Sequence, residues 1–395
     1  MLKSSLVDTM RQRCSEVTLQ SEPLGHFGTF VKMIMEANPG CLKTFRELDT
    51  DEERVMFCSL LNKVDHMVVR PVFKQKNAEQ ANAKRTEGNE AFQKKRYKQA
   101  AMLYTMSAMK AVTGQETLAY SVANRSACHY YTGDVHSCLQ DIELALSSGY
   151  PEQLRYKLYE RRAKCHLLTR SFDKARTAVS TAKKCLEANK GKLDEKKLTQ
   201  AKKSLKEINE AISGQRGLAE ETIVVEERTE ARPPKLSQGS NKKLRSLSSL
   251  VKVEYRDGVG RHVVAAKQVK AGDTIAVENP VAAVLYSDKQ GTNCDLCLAK
   301  LRSAVPSPTS AGVAFCSLEC RDEAVASYHK YEARHQDLLL GLGSSALVRL
   351  AYRSETEDCE DSSYVTQLCT GCPKERNAVL ELTTTQPTRG LFQFD

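Results

Sequence analysis

With 395 residues, 41% hydrophobic and 27% charged, the chain has the length for two or three domains and the composition of a folded protein. A single small module, a fibrous repeat and wholesale disorder are excluded. A net charge of +10, from 59 Lys plus Arg against 49 Asp plus Glu, favours acidic partners without singling out nucleic acid.

Near Met1, the apolar stretch from Leu2 to Leu6 is too short for a signal peptide and meets Asp8, Arg11 and Arg13. Nowhere do eighteen apolar residues run together, so no membrane partner is expected. A cytoplasmic and nuclear protein is the expectation. Among the 14 cysteines, those that cluster form C-x2-C and C-x3-C pairs, a metal-binding pattern rather than a disulfide framework. Residues 1–78 read as an N-terminal helical region. Within it, Phe45, Leu48, Val55, Phe57 and Leu60 fall at helical spacing and predict one buried stripe from Thr44 to Leu61.

Residues 79–214 repeat. Gly88, Ser126 and Ala163 are 38 and 37 residues apart, and the same offsets relate Tyr97, Val135 and Phe172, then Ala100, Cys138 and Ala175, then Ser107, Ala145 and Ala182. Small residues where two helices cross, with a bulky one at the turn between them, predict helix-turn-helix repeats. Through Gly88-Asn89-Glu90-Ala91-Phe92, Tyr97 and Ala100, and through Asn124-Arg125-Ser126-Ala127-Cys128, the segment resembles tetratricopeptide repeats. Three are expected, with Lys192 to Ile212 as a helical cap.

Arg85 and Asn89 are four apart, as are Lys157 and Arg161, and Asn124 lies between them in the second repeat. Spacing of four puts each pair on one helical face, and the first helices of successive repeats line a groove. These five side chains suit the carboxylates of a peptide. The set resembles the carboxylate clamp with which some repeat domains hold the acidic tails of cytosolic heat-shock chaperones, with Arg85 where a lysine is usual. The lysines from Lys183 to Lys206 read as a solvated helix face. They lack interleaved aromatics, so no specific nucleic acid is expected.

Residues 215–249 carry Glu226-Glu227-Arg228 and Pro233-Pro234 and read as a linker, in which Asn241-Lys242-Lys243-Leu244-Arg245 is a short basic run. Over 250–290 the period becomes two, as in Val251, Val253 and Tyr255, and again around Val263 to Ala265. Short strands replace helices.

Cys294 and Cys297, then Cys316 and Cys320, supply four thiolates in two close pairs, enough to close a tetrahedral zinc shell. With Phe315, Tyr328 and His329, residues 291–335 resemble a MYND zinc finger, a module that holds two zinc ions. The resemblance makes His329 a further candidate ligand. The finger's middle cysteine pair would fall at Ser307 and Ser310 and its last at Ala333, none of them a useful ligand, so one zinc is expected. Residues 336–354 read as a helical continuation, and 355–395 as an irregular or divergent tail. In that tail Cys369-Thr370-Gly371-Cys372 is either half a metal site or two ordinary thiols.

Before the finger come Asp257-Gly258-Val259-Gly260-Arg261, then Gly272-Asp273-Thr274-Ile275 and Glu278-Asn279-Pro280. A strand pair with G-x-G, a G-D-x-I turn and E-x-P ahead of a MYND finger resembles the opening of a SET domain. The order of parts resembles the SET and MYND family of protein-lysine methyltransferases. The fold class expected is multidomain: an all-α repeat superhelix, then an α+β partial SET domain with an inserted finger. The resemblance implies methyl transfer from S-adenosylmethionine to lysines of protein substrates, with Gly258, Val259, Gly260 and Arg261 at the cofactor. SET enzymes also carry an Asn-His segment and a Gly-Glu motif, and neither dipeptide occurs here. This chain is therefore expected to be incomplete and inactive alone. The alternative is a non-catalytic adaptor that binds chaperone tails through its repeats and peptides through its finger.

Overall fold

A computed structural model describes residues 25–61, 74–215 and 234–336, apart from 279, 281, 287 and 288, together with 223, 225, 339, 349, 350 and 353. Residues 1–24 and the tail with Cys369 and Cys372 lie outside the described residues.

Among the described residues, three helices come first: α1 (Gly25–Ala37), α2 (Cys41–Glu47) and α3 (Asp51–Ser59). The stripe expected from Thr44 to Leu61 is not formed. Leu48 is extended, and Thr50 starts a new helix with a capping box in which its side chain and that of Glu53 bond each other's backbone N–H. Val55 and Leu60 end up 69% and 79% exposed.

Six helices then pair in order: α4 (Ala78–Gln93) with α5 (Tyr97–Lys110), α6 (Glu116–Tyr131) with α7 (Val135–Ser147), and α8 (Arg155–Leu168) with α9 (Phe172–Ala188). The bulky column Tyr97, Val135 and Phe172 opens the second helix of each pair. The small columns are buried, and only there can the paired backbones approach closely. At Gly88 a Cβ would come within 2.7 Å of the Tyr104 ring. Helix α10 (Glu195–Ser213), capped by Asp194, covers the last pair with Leu205, Ile208 and Ile212. Among the described residues no helix is long and apolar enough to cross a membrane.

The segment after the repeats is less of a linker than its composition suggests. Ser237, Ser248 and Val277 donate backbone N–H groups to Thr274, Ile275 and Ser246, and the Asn241 amide donates to the Val251 carbonyl. Polar side chains here tie turns rather than solvating a free chain. Strands β1 (Val251–Arg256) and β2 (Gly260–Ala265) form an antiparallel hairpin, with Val253 opposite Val263 and Tyr255 opposite Arg261. Val253, Tyr255 and Val263 share one face and are all exposed.

The finger region adds β3 (Val305–Pro306), β4 (Ala314–Phe315), α11 (Leu318–Ala326) and α12 (His329–Glu332). It packs on the repeats: Val305, Val313, Phe315, Ala324 and Tyr328 share one apolar core with residues of α5 to α8. Arg353 returns to the finger, bonding both Asp295 and Glu332 while its guanidinium lies 3.7 Å from the Tyr328 ring centroid.

Candidate metal centre and peptide groove

Two local devices bring the four cysteines together. Cys294 and Cys297 sit on a tight turn in which the Cys294 N–H donates to the Ala299 carbonyl (2.7 Å), with Leu298 at φ 62. Cys316 follows β4 directly. Cys320 lies in the first turn of α11, its N–H bonded to the capping hydroxyl of Ser317 (3.2 Å). The backbone bond from Asp295 to Ala314 (3.1 Å) joins the two turns.

The four sulfurs lie within 4.8 Å of one another, with Cys297 to Cys316 at 3.4 Å and Cys316 to Cys320 at 3.5 Å. A zinc ion with thiolates at about 2.3 Å needs sulfurs about 3.8 Å apart, so the donor set fits a tetrahedral structural zinc. Hydrogen bonds from Cys294 and Cys316 pull the Cys297 thiol down, while those with Cys294 and Cys297 push Cys316 up. Four thiolates this close need a cation to ionise together.

His329 does not join this group. Only 2% exposed, it holds Ser307 through Nε2 (2.7 Å); the Ser307 hydroxyl also accepts the N–H groups of Thr309 and Ser310 (3.2 Å each). The Ser310 hydroxyl donates to the Gln336 amide oxygen (3.2 Å), and Ala333 is buried close by in sequence. A serine–histidine hydrogen-bond network therefore occupies the positions where the finger resemblance would put a second metal site.

Of the five groove candidates, Asn89, Asn124, Lys157 and Arg161 line one cleft of about 360 Å³, with Tyr104 and Tyr150 beside them. The Asn89 carbonyl oxygen accepts from Tyr104 (2.8 Å) and Asn124 (3.1 Å), which fixes both amides. Arg161 is anchored through Nη1 to the Ala123 carbonyl and the Ser126 hydroxyl. Partial burial, then Lys197 and Arg161, pull the Lys157 ammonium below its ordinary range. Arg85 stands apart, its guanidinium 5.8 Å from the Tyr120 ring centroid. Spacing by fours and the repeat register point to the four; the two tyrosines, Tyr104 in α5 and Tyr150 in the loop after α7, carry no such signal.

Gly258 and Gly260 lie at φ 75 in the hairpin turn, closed by the Val259 N–H to the Arg256 carbonyl (3.1 Å). Nothing lies within 4 Å of a Cβ built at either, so backbone conformation calls for glycine there and the space beside the turn is open. Val259 is itself 62% exposed, so the turn is an open surface rather than an enclosed site.

No family model matches the chain. Protein-lysine N-methyltransferase SMYD4 of Mus musculus is 27% identical to it over 361 residues, 81% of this chain and 43% of the mouse protein. The Homo sapiens SMYD4 is 27% identical over 72% of the chain and 37% of its own length. The chain is similar to SMYD4. The repeats make up about a third of the chain, so the match to mouse SMYD4 takes in much more than repeats. Tetratricopeptide repeat protein 4 of Mus musculus is 37% identical over 97 residues, 25% of the chain. The chain spans less than half the length of the SMYD4 relatives it matches.

Proposed function

We propose that the chain belongs to a protein-lysine N-methyltransferase of the SET and MYND type, acting on protein substrates with S-adenosylmethionine. The observation that carries this is the order of parts, repeats then glycine hairpin then four-cysteine finger, in a chain similar to SMYD4 over 81% of its length. Bound S-adenosylmethionine would supply a sulfonium methyl to a neutral lysine amine. The backbone from Gly258 to Arg261 offers one wall for it, and Cys294, Cys297, Cys316 and Cys320 hold zinc as a structural ion. The relatives favour this reading over a purely adaptor one. Protein purified from its native cells should transfer tritiated methyl groups to lysines in a cell extract; no lysine labelling by the native protein would remove the proposal.

The cleft supports recruitment of an acidic peptide ending in a free carboxylate, such as a chaperone tail. Two amides and two cations converge on one cavity, and charge-assisted bonds to such groups are worth about 1.5–3 kcal/mol each. Amidating the peptide terminus, or Lys157→Ala, should weaken binding about tenfold or more by calorimetry. Equal titration curves for acid and amide would remove the clamp.

A further inference from the structure

Arg125 is a fully buried cation that belongs to neither site yet touches the elements that build both. It is 1% exposed, and its Nε and Nη2 grip the Asp141 carboxylate at 2.8 and 2.7 Å, joining α6 to α7. Nη1 bonds the Thr105 hydroxyl in α5 (3.0 Å). The remaining partners come from the finger. Nη2 also donates to the Ala304 carbonyl (2.9 Å), and the Ser303 hydroxyl donates to the same Asp141 oxygen that Nη2 holds (2.6 Å). One residue from Asp141, the Gln140 amide donates to the carbonyl of Cys316, one of the four cysteines (2.5 Å). On α6 the neighbours of Arg125 face the groove: Asn124 lines it, and Ala123 and Ser126 anchor Arg161.

We infer that the four-cysteine centre is coupled to the peptide groove through the buried Arg125–Asp141 pair, metal loading being what holds the groove helices in binding order. The inference rests on the metal and groove readings above. A buried ion pair persists only while its remaining donors and acceptors are satisfied, and here the finger satisfies two of them. Without metal, the two cysteine turns lose their tie to each other, leaving Ser303, Ala304 and Cys316 positioned only through the packing of their neighbours Val305 and Phe315. The pair would then face water on its finger side, and α6 would lose a fixed contact one residue from Asn124. By linkage, a peptide in the groove strengthens the metal site by the same factor.

The test uses the full chain, a zinc chelator and an acidic pentapeptide with a free carboxylate. Removing metal should weaken the peptide about tenfold, within the usual range for coupled sites, and restoring zinc should recover it. The melting temperature followed by helix circular dichroism should fall by about 5 °C or more. Because Arg125→Met alone leaves Asp141 buried and unpaired, the double variant Arg125→Met with Asp141→Leu is the informative one. It should still give the tetrathiolate absorption of bound cobalt(II), while its peptide affinity changes less than twofold on chelation. Metal-independent affinity in the unmodified chain, or undiminished metal dependence in the double variant, overturns the coupling. Should no peptide bind in either state, the groove reading fails separately and the melting shift decides: a shift supports the coupling to the groove helices, and none refutes it. A chain that takes up neither zinc nor cobalt removes the metal reading and the coupling together.

Discussion

Gly88 shows how one residue ties packing to the groove. Alanine there would gain about 1 kcal/mol of helix propensity but push a methyl to 2.7 Å from a buried Tyr104 ring, an overpacking cost of about 1–3 kcal/mol. The second effect outweighs the first, and because Tyr104 orients Asn89, Gly88→Ala should lower both the melting temperature and peptide affinity. Lys76 makes a pH statement. Burial pushes its ammonium down to about 7, from 10.5, while its Nζ donates to the Met109 carbonyl where the first repeat meets Ala304 and Ala314 of the finger. A folded pKa below the unfolded one means that the unfolded chain binds more protons between those values. The buried Lys76 therefore costs the fold most below about pH 7, and that cost fades as pH rises from about 7 towards 10.5. Lys76→Met should flatten the rise in melting temperature between about pH 7 and 9 relative to the unmodified chain; an unchanged slope would show that this ammonium stays charged in the fold. Single residues of this kind were legible only where spacing exposed them. Asn89 and Arg161 could be read from the repeat register, whereas Arg125 with Asp141, and Arg353 with Asp295 and Glu332, meet across sequence distances that leave no local pattern.

At the scale of elements, the repeats were readable because close helix crossings impose small residues at fixed offsets, and those columns are buried as the offsets require. The stripe over Thr44 to Leu61 failed for a reason also present in the sequence: Thr50-Asp51-Glu52-Glu53 is a capping box, which starts a helix rather than continuing one. Around the four cysteines, sequence identified the cysteine pairs, which the structure brings together. It gave no sign that Ser307 would bond His329, because that pairing is set by the loop between β3 and β4. Two outcomes follow. Metal analysis should return one zinc per chain, and Cys297→Ala should abolish it with loss of the finger, since zinc binding supplies on the order of 10 kcal/mol to such modules. Ser307→Ala should leave the zinc count unchanged and cost about 1–3 kcal/mol in denaturant unfolding, the penalty of stranding a buried His329. Two zincs per chain would mean that the serine–histidine lobe opens to bind metal.

Across the whole molecule, the groove and the glycine hairpin sit on different parts. The groove and finger are built from packed, mutually bonded elements, while the hairpin holding Gly258 and Gly260 leaves Val253, Tyr255 and Val263 exposed on one face. Methyl transfer needs sulfonium carbon and amine held at near-attack distance, and that alignment supplies much of the rate. Backbone contacts at one hairpin turn do not provide it, and the Asn-His and Gly-Glu dipeptides are absent from the sequence. The direct measurement is calorimetric titration of the 395-residue chain with S-adenosylmethionine, followed by tritiated methyl transfer to histones and cell extract. Weak or no cofactor binding and no transfer are expected from the 395 residues alone. Tight binding with turnover that Gly260→Val abolishes would contradict the account and place a complete catalytic site within these residues.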